Sequence, residues 1–272
     1  MAQAIALNVG LNSVDPDRYE GWSGPLNACE ADANDMADLA RERGFAATRL
    51  LTRNATRDGV LKAVAAAAKK LKSGDIFLLS YSGHGGQAPD LNGDEPDGKD
   101  ETWCLYDGEL VDDELYSSWG AFAAGVRILV LSDSCHSGSV TKAIHYATKA
   151  PAGPRPVFRA MPDEVALRVY QNNKGFYDPI LKRRDLAKAL GSVRASVLLI
   201  SGCQDNQLSQ DGTFNGLFTG TLKTVWNGGT FEGSYRRFRT AIVQRMPPDQ
   251  TPRLSLVGAG NATFVKQRPF TL

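Results

Sequence analysis

Apolar residues along this chain follow two alternating rhythms. Short runs that read as strands buried on both faces occur at Ala4–Val9, Ala47–Leu51, "DIFLLSYS" ending at Ser82, Ile128–Leu131 and "SVLLISGC" ending at Cys203. Between them lie stretches with one apolar face in helical spacing. The first opens at Asn27 or Cys29, carries Glu30, Asp32 and Asp35 in its first turns, turns Met36, Ala37 and Ala40 inward, and stops at Gly44. A second, Ala-rich, is capped by Thr56 and runs through Leu71 to Ser73-Gly74. Further helices are predicted near Asp112, around Asp185–Leu190, at Phe214–Trp226 and at Ser234–Met246, with a short extended piece at Thr102–Tyr106 and a last strand in "TPRLSLVG". Strands alternating with helices predict an α/β fold, a mostly parallel central sheet flanked by helices on both faces. In that architecture ligands bind beyond the carboxyl ends of the strands.

One stretch breaks the rhythm. Residues 139–183 read as irregular, basic and exposed, with "KAPAGPRP" at their centre and no acid anywhere in 134–162. The length of 272 residues suits one well-buried domain, so this stretch is read as a linker excursion and not as a domain. Lys+Arg 31 against Asp+Glu 30 leaves no field to attract nucleic acid or an anionic membrane. No run is long and apolar enough to span a bilayer, and the first ten residues lack a signal-peptide layout. Four scattered cysteines without a CxxC pair predict free thiols, a cytoplasmic setting and no structural zinc.

The chemistry concentrates at two predicted strand ends. The third strand runs into a Gly-rich turn, Ser82-Gly83-His84-Gly85, and the fourth into Asp133-Ser134-Cys135. If those strands are neighbours, His84 and Cys135 face one another. An imidazole beside a thiol can take its proton and later return it to a leaving amine, and the N–H groups of Gly85 and Cys135 are natural donors to an oxyanion. A buried structural cysteine and a hydrogen-bonded loop histidine are the plain alternative for either residue alone. The pair, with its glycines, favours a cysteine peptidase.

"YSGHG" followed by the Cys of "DSCHSG" resembles the caspase-like peptidases, and most closely the metacaspases and their prokaryotic relatives, the orthocaspases. "NACEADA", "GDEPDGKDE", "DDE" at 112–114, "SGCQDNQ" and "QTPRLS" extend the resemblance from residue 3 to about 257. It implies a caspase-hemoglobinase fold as a single domain over 1–272. A large-subunit-like part would cover 1–138, the linker 139–183 and a small-subunit-like part 184–272. It implies His84 and Cys135 as the catalytic dyad, Gly85 and Cys135 as the oxyanion donors, and a substrate-binding pocket from Cys29, Asp32, Ser82 and Asp133. Such a pocket accepts Arg or Lys before the cut. Asp32 also suits a helix N-terminus and Asp133 a turn, yet a carboxylate next to a nucleophilic thiol opposes thiolate formation, and a substrate cation explains the cost.

The acidic loop puts Asp90, Asn92, Asp94 and Glu101 in an EF-hand register, but Glu95 stands where Gly is needed and no helix flanks it, which disfavours an EF-hand. The resemblance instead implies a calcium site from Asp100, Asp112 and Asp113, although the stretch after Cys135 lacks the acid that family members add. No other cofactor is expected. The expected partners are peptides or proteins with basic residues, met by a monomer, with self-cleavage after Lys149, Arg159, Lys174 or Arg183 inside the linker. The alternative is a silent caspase-like domain serving as a binding or scaffold module, which retention of both dyad residues disfavours.

Overall fold

The computed structural model describes residues 2–135, 157–203, 207, 209–259 and 262–272. Nine strands occur among them: β1 (Ala4–Gly10), β2 (Ala46–Leu51), β3 (Ile76–Ser82), β4 (Gly85–Pro89), β5 (Lys99–Leu105), β6 (Gly108–Val111), β7 (Arg127–Asp133), β8 (Ser196–Ser201) and β9 (Arg253–Gly258). Six form the central sheet in the order β2-β1-β3-β7-β8-β9. The first five are parallel and β9 alone is antiparallel, paired to β8. The remaining three make a small antiparallel sheet, β4-β5-β6.

The helices are α1 (Cys29–Glu42), α2 (Arg57–Lys70), α3 (Asp112–Trp119), α4 (Asp163–Asn172), α5 (Lys174–Leu181), the short α6 (Arg184–Ala187) and α7 (Ala189–Ser192), then α8 (Leu217–Trp226), α9 (Tyr235–Val243) and α10 (Ala262–Lys266). Thr56 caps α2 by accepting the Gly59 N–H, and Ser234 caps α9 by accepting that of Arg237.

Strand alternation builds the two core layers. Phe77, Leu79, Tyr81, Ile128 and Val130 point to the face covered by α2 and α3, with Val60, Val64, Leu115 and Trp119. Ile76, Leu78, Leu129 and Leu131 point to the other face, where Met36, Leu39, Phe218, Leu222, Phe238 and Ile242 cover them from α1, α8 and α9. β3 and β7 are buried along their whole length, as their unbroken apolar runs predicted. No helix among the described residues is long and apolar enough to cross a membrane.

Two expectations are corrected. The sequence around Gly85 read as a turn, whereas Gly85–Pro89 is a strand paired with β5. The stretch 139–183 read as irregular and exposed. Its described part contains α4 and α5, with Val165, Ala166, Val169, Tyr177 and Leu181 buried in a third apolar cluster beneath the small sheet. The part up to residue 156 lies outside the described residues.

Candidate active site

β3 and β7 are parallel neighbours in register, with Ser82 opposite Asp133. His84 and Cys135 each lie two residues beyond that pair, so both emerge at the same level from adjacent strand ends. Both are buried.

The imidazole is oriented by a backbone atom. His84 Nε2 donates to the Gly24 carbonyl oxygen at 3.0 Å. A carbonyl can only accept, so Nε2 carries the proton and the neutral ring presents Nδ1 as a base. Nδ1 is buried with no hydrogen-bond partner among the described residues. The Trp22 ring packs on the imidazole with centroids 4.7 Å apart. Gly24 has φ +50°, and a Cβ there would come within 2.9 Å of His84 Cδ2, so only glycine lets this carbonyl approach. Burial lowers the His84 pKa to about 4 against raising contacts from the Gly24 and Ala160 backbones. The base form therefore prevails at neutral pH. Cys135 Sγ accepts the Ser209 N–H and its thiol lies 3.6 Å from the Ser209 carbonyl oxygen.

The four predicted pocket residues come together, joined by two that were not anticipated there, Arg159 and Asp211. Arg159, fully buried, enters the pocket as its occupant. Its Nη2 lies 2.8 Å from Asp32 Oδ2 and 2.9 Å from Asp211 Oδ1, and its Nη1 lies 2.9 Å from Asp133 Oδ2. Nη1 also donates to Ser82 Oγ at 2.8 Å, while Ser82 Oγ donates to Asp32. Nε points at Asp211 Oδ1, 3.3 Å away.

The carboxylates are themselves held. Asp133 accepts from Ser209 Oγ and from the N–H and Oγ1 of Thr219. Asp32 accepts from Asn215 Nδ2 and the Gly216 N–H. Cys29 lines the same cavity, its thiol pKa pushed up to about 12 by burial although Arg159 acts to lower it. A Cβ on Gly216 would sit 2.5 Å from the Arg159 guanidinium carbon, so glycine forms the pocket floor. Burial raises the Asp32 pKa to about 6, with Arg159 opposing and Asp133 adding to the rise. Burial also works against the Arg159 charge, but Asp133, Cys29 and Asp32 outweigh it and hold the pKa well above the ordinary value.

The backbone around Arg159 is equally fixed. Its carbonyl oxygen accepts the N–H groups of Gly85 at 3.0 Å and Cys135 at 3.1 Å. Its own N–H donates to Ser209 O, and Asp211 N–H donates to Val157 O, pairing Phe158 antiparallel with Gln210. On the other side Met161 N–H donates to Gly85 O at 2.7 Å.

The predicted calcium ligands do not form one donor group. Asp100 clusters with Asp90 and Asp94, and Asp112 with Glu95 and Glu101. Asp113 Oδ2 instead accepts from Asn92 Nδ2. The reason is β5: Asp100 and Glu101 are successive strand residues and point to opposite faces. Asp100 Oδ2 is buried with no hydrogen-bond partner among the described residues. Burial and the acids Asp113, Asp90, Asp94 and Glu95 raise its pKa to about 8. An all-oxygen set with an orphaned carboxylate oxygen fits a hard divalent cation.

A sheet of this order with a histidine and a cysteine at adjacent strand ends defines a caspase-like domain. A caspase-domain profile matches residues 6–269, and the chain belongs to that family. It is 31% identical to Metacaspase-1A of Aspergillus oryzae over 250 residues, covering 80% of this chain and 58% of that protein. It is 32% identical to Metacaspase-1 of Coccidioides immitis over 247 residues, covering 80% and 52%. The chain thus spans little more than half the length of these curated relatives. Among solved structures, protein GSU0716 from Geobacter sulfurreducens is 60% identical, with a TM-score of 0.88 over 99% of this chain and 98% of that one. Caspase-1 from Spodoptera frugiperda shares the fold, with a TM-score of 0.59 at 13% identity over 98% and 92% of the two chains.

Proposed function

We propose that this chain is a cysteine endopeptidase that cuts after Arg, and less readily after Lys. The observation carrying this reading is the seat of Arg159. Its guanidinium meets Asp32, Asp133 and Asp211, while its carbonyl oxygen accepts from Gly85 and Cys135. An arginine side chain in a carboxylate pocket and a peptide carbonyl between two N–H donors are the two requirements for a substrate residue before a cut.

The chemistry follows from the same atoms. The Cys135 thiol gives its proton to His84 Nδ1 while Gly24 steadies Nε2–H, and the thiolate attacks the carbonyl carbon. Gly85 and Cys135 N–H groups receive the developing oxyanion. The imidazolium then protonates the leaving nitrogen, and water releases the acid from the thioester. Each charge-assisted bond to the guanidinium contributes about 1.5–3 kcal/mol. Lysine cannot use the Nε contact to Asp211 and engages fewer acceptors. An aspartate would bring a fourth carboxylate into the pocket unpaired.

A divalent cation, calcium by its donor set, belongs to this reading at Asp90, Asp94 and Asp100. It would neutralise a cluster on the loop following β4 and carries no step of the reaction. Fluorogenic peptides differing only in the residue before the cut test the proposal. Turnover of Arg and Lys peptides by Arg159→Ala protein, whose pocket is open, is expected, and its loss when Cys135→Ala is added. A folded protein inert toward every peptide would favour the scaffold alternative.

A further inference from the structure

We propose that Trp22 is a positioning residue for His84: its indole closes one face of the imidazole to water and fixes the ring plane, holding the ring as the neutral base. This rests on the peptidase reading above and adds which side chain prepares its base.

Trp22 lies on the loop between β1 and α1, and that loop is pinned at several points. Asp15 N–H donates to Tyr106 O at 3.0 Å, Val14 N–H to Ser23 O at 2.9 Å and Leu26 N–H to Asn12 O at 2.8 Å. The buried Tyr19 donates its hydroxyl to Leu105 O at 2.7 Å, and Trp22 N–H donates to Tyr19 O at 3.0 Å. The indole packs against the apolar cluster that contains Val14, Tyr19 and Met161. Trp22 is half-buried while His84 is buried, so the indole stands between the imidazole and solvent.

Three groups meet at one spot. The indole and imidazole centroids are 4.7 Å apart, with the ring planes at 59°. A Cβ on Gly24 would stand 2.7 Å from two indole atoms and 2.9 Å from His84 Cδ2, so the two rings close over the space a side chain would fill. The Gly24 carbonyl oxygen holds Nε2 but leaves the imidazole free to swing about that bond, since the outer torsion of a histidine is broad. The indole removes that freedom.

The charged groups facing the ring oppose one another. Arg159 disfavours a proton on it and Asp211 favours one, and neither belongs to the Trp22 loop. Tyr81 of β3 donates its hydroxyl to the His84 carbonyl oxygen, and Cys104 of β5 donates its N–H to the same atom. Burial keeps both of these side chains, and Tyr19 on the loop itself, in their neutral forms. Burial also leads among the influences on His84 and lowers its pKa to about 4, so lost hydration outweighs any attraction of an indole face for an imidazolium. Cover, more than charge, is what Trp22 supplies.

Histidine titration by NMR in Cys135→Ala protein reads this without needing activity, the His84 signal being identified by its loss in His84→Ala. Trp22→Ala should raise the His84 midpoint by at least about one pH unit toward 6.5, and Trp22→Phe, which keeps an aromatic cover, by less than half as much. In an Arg159→Ala background, Trp22→Ala should lower kcat for Arg peptides about 10–100-fold with KM within about threefold, and Trp22→Phe should recover most of the loss. An unchanged His84 midpoint in folded Trp22→Ala protein overturns the inference. So does a loss of kcat that tracks a lower melting temperature and is not recovered by Trp22→Phe. A shifted midpoint in a protein whose Arg159→Ala form cleaves no peptide overturns the peptidase reading and leaves the hold of Trp22 on the imidazole standing.

Discussion

Two carboxylate clusters lie in the same molecule and have opposite fates. Around Arg159, Asp32, Asp133 and Asp211 share a guanidinium, and each of the three also accepts bonds from the chain. On the acidic loop, Asp90, Asp94 and Asp100 come together without a basic side chain among them, and the Asp100 pKa is pushed up to about 8 by burial and its acidic neighbours. Gathering acids therefore does not identify a site's ligand. The first cluster lies at a dry strand end, has a glycine floor shaped to a planar cation and sits beside a thiol. The second is built of oxygens alone on a turn-rich loop, where a compact metal ion suits it better than a side chain.

The comparison can be broken most severely at the thiol. Cys135→Ala should reduce turnover at least about 10⁴-fold, and His84→Ala similarly, while circular dichroism melts of both remain near wild type. Next come the pocket residues, measured in an Arg159→Ala background so that the pocket is open. Asp133→Asn should lower kcat/KM for Arg peptides about 10–150-fold, the worth of a charge-assisted bond of about 1.5–3 kcal/mol. Gly216→Ala should do at least as much by filling the space of the guanidinium.

A pH titration sharpens the same point. Asp32 must be ionised to accept a cation, and burial raises its pKa even with Arg159 opposing, so kcat/KM for Arg peptides in Arg159→Ala protein should fall as pH drops. The sign on stability is opposite. A carboxyl whose folded pKa is raised favours the folded state most below 3.8, and that contribution is lost as pH rises through about 6. The smallest effect belongs to the loop. Calcium at about a hundred times its Kd should raise the melting midpoint by roughly 5 °C, and Asp100→Asn should abolish the rise. An unchanged midpoint would reduce the loop cluster to a solvated acidic surface.

Much of this architecture was legible in the sequence, for identifiable reasons. β3 and β7 are continuous apolar runs, and their polar endings carry His84 and Cys135, so the strand-end rule singled out both residues of the candidate site before any pairing was known. β4 was missed because Gly-Gly-Gln-Ala-Pro has poor strand propensity and is held by pairing with β5, which no local window reports. α5 contains Pro179 and α4 follows a Pro-rich stretch, so breaker residues concealed both. Asp211 left no trace, since it lies in a polar loop and reaches the pocket only through the Phe158–Gln210 bridge. The Gly24 carbonyl is a backbone atom and has no sequence signature beyond the glycine itself. Arg159 was visible as a basic residue in a basic linker, but its burial was not: charge predicts exposure unless partners are known, and its partners come from α1, the end of β7 and the loop before α8.

The central claim is that the acidic pocket receives a substrate's cation beside a reactive thiol. Initial rates of Arg159→Ala protein on a matched pair of peptides, Arg or Asp before the cut, test it most directly. The account predicts that the Arg peptide is cleaved at least about 100-fold faster, as expected for two charge-assisted bonds gained in one case and an unpaired carboxylate buried in the other. Equal rates, or preferential cleavage after Asp, would contradict it.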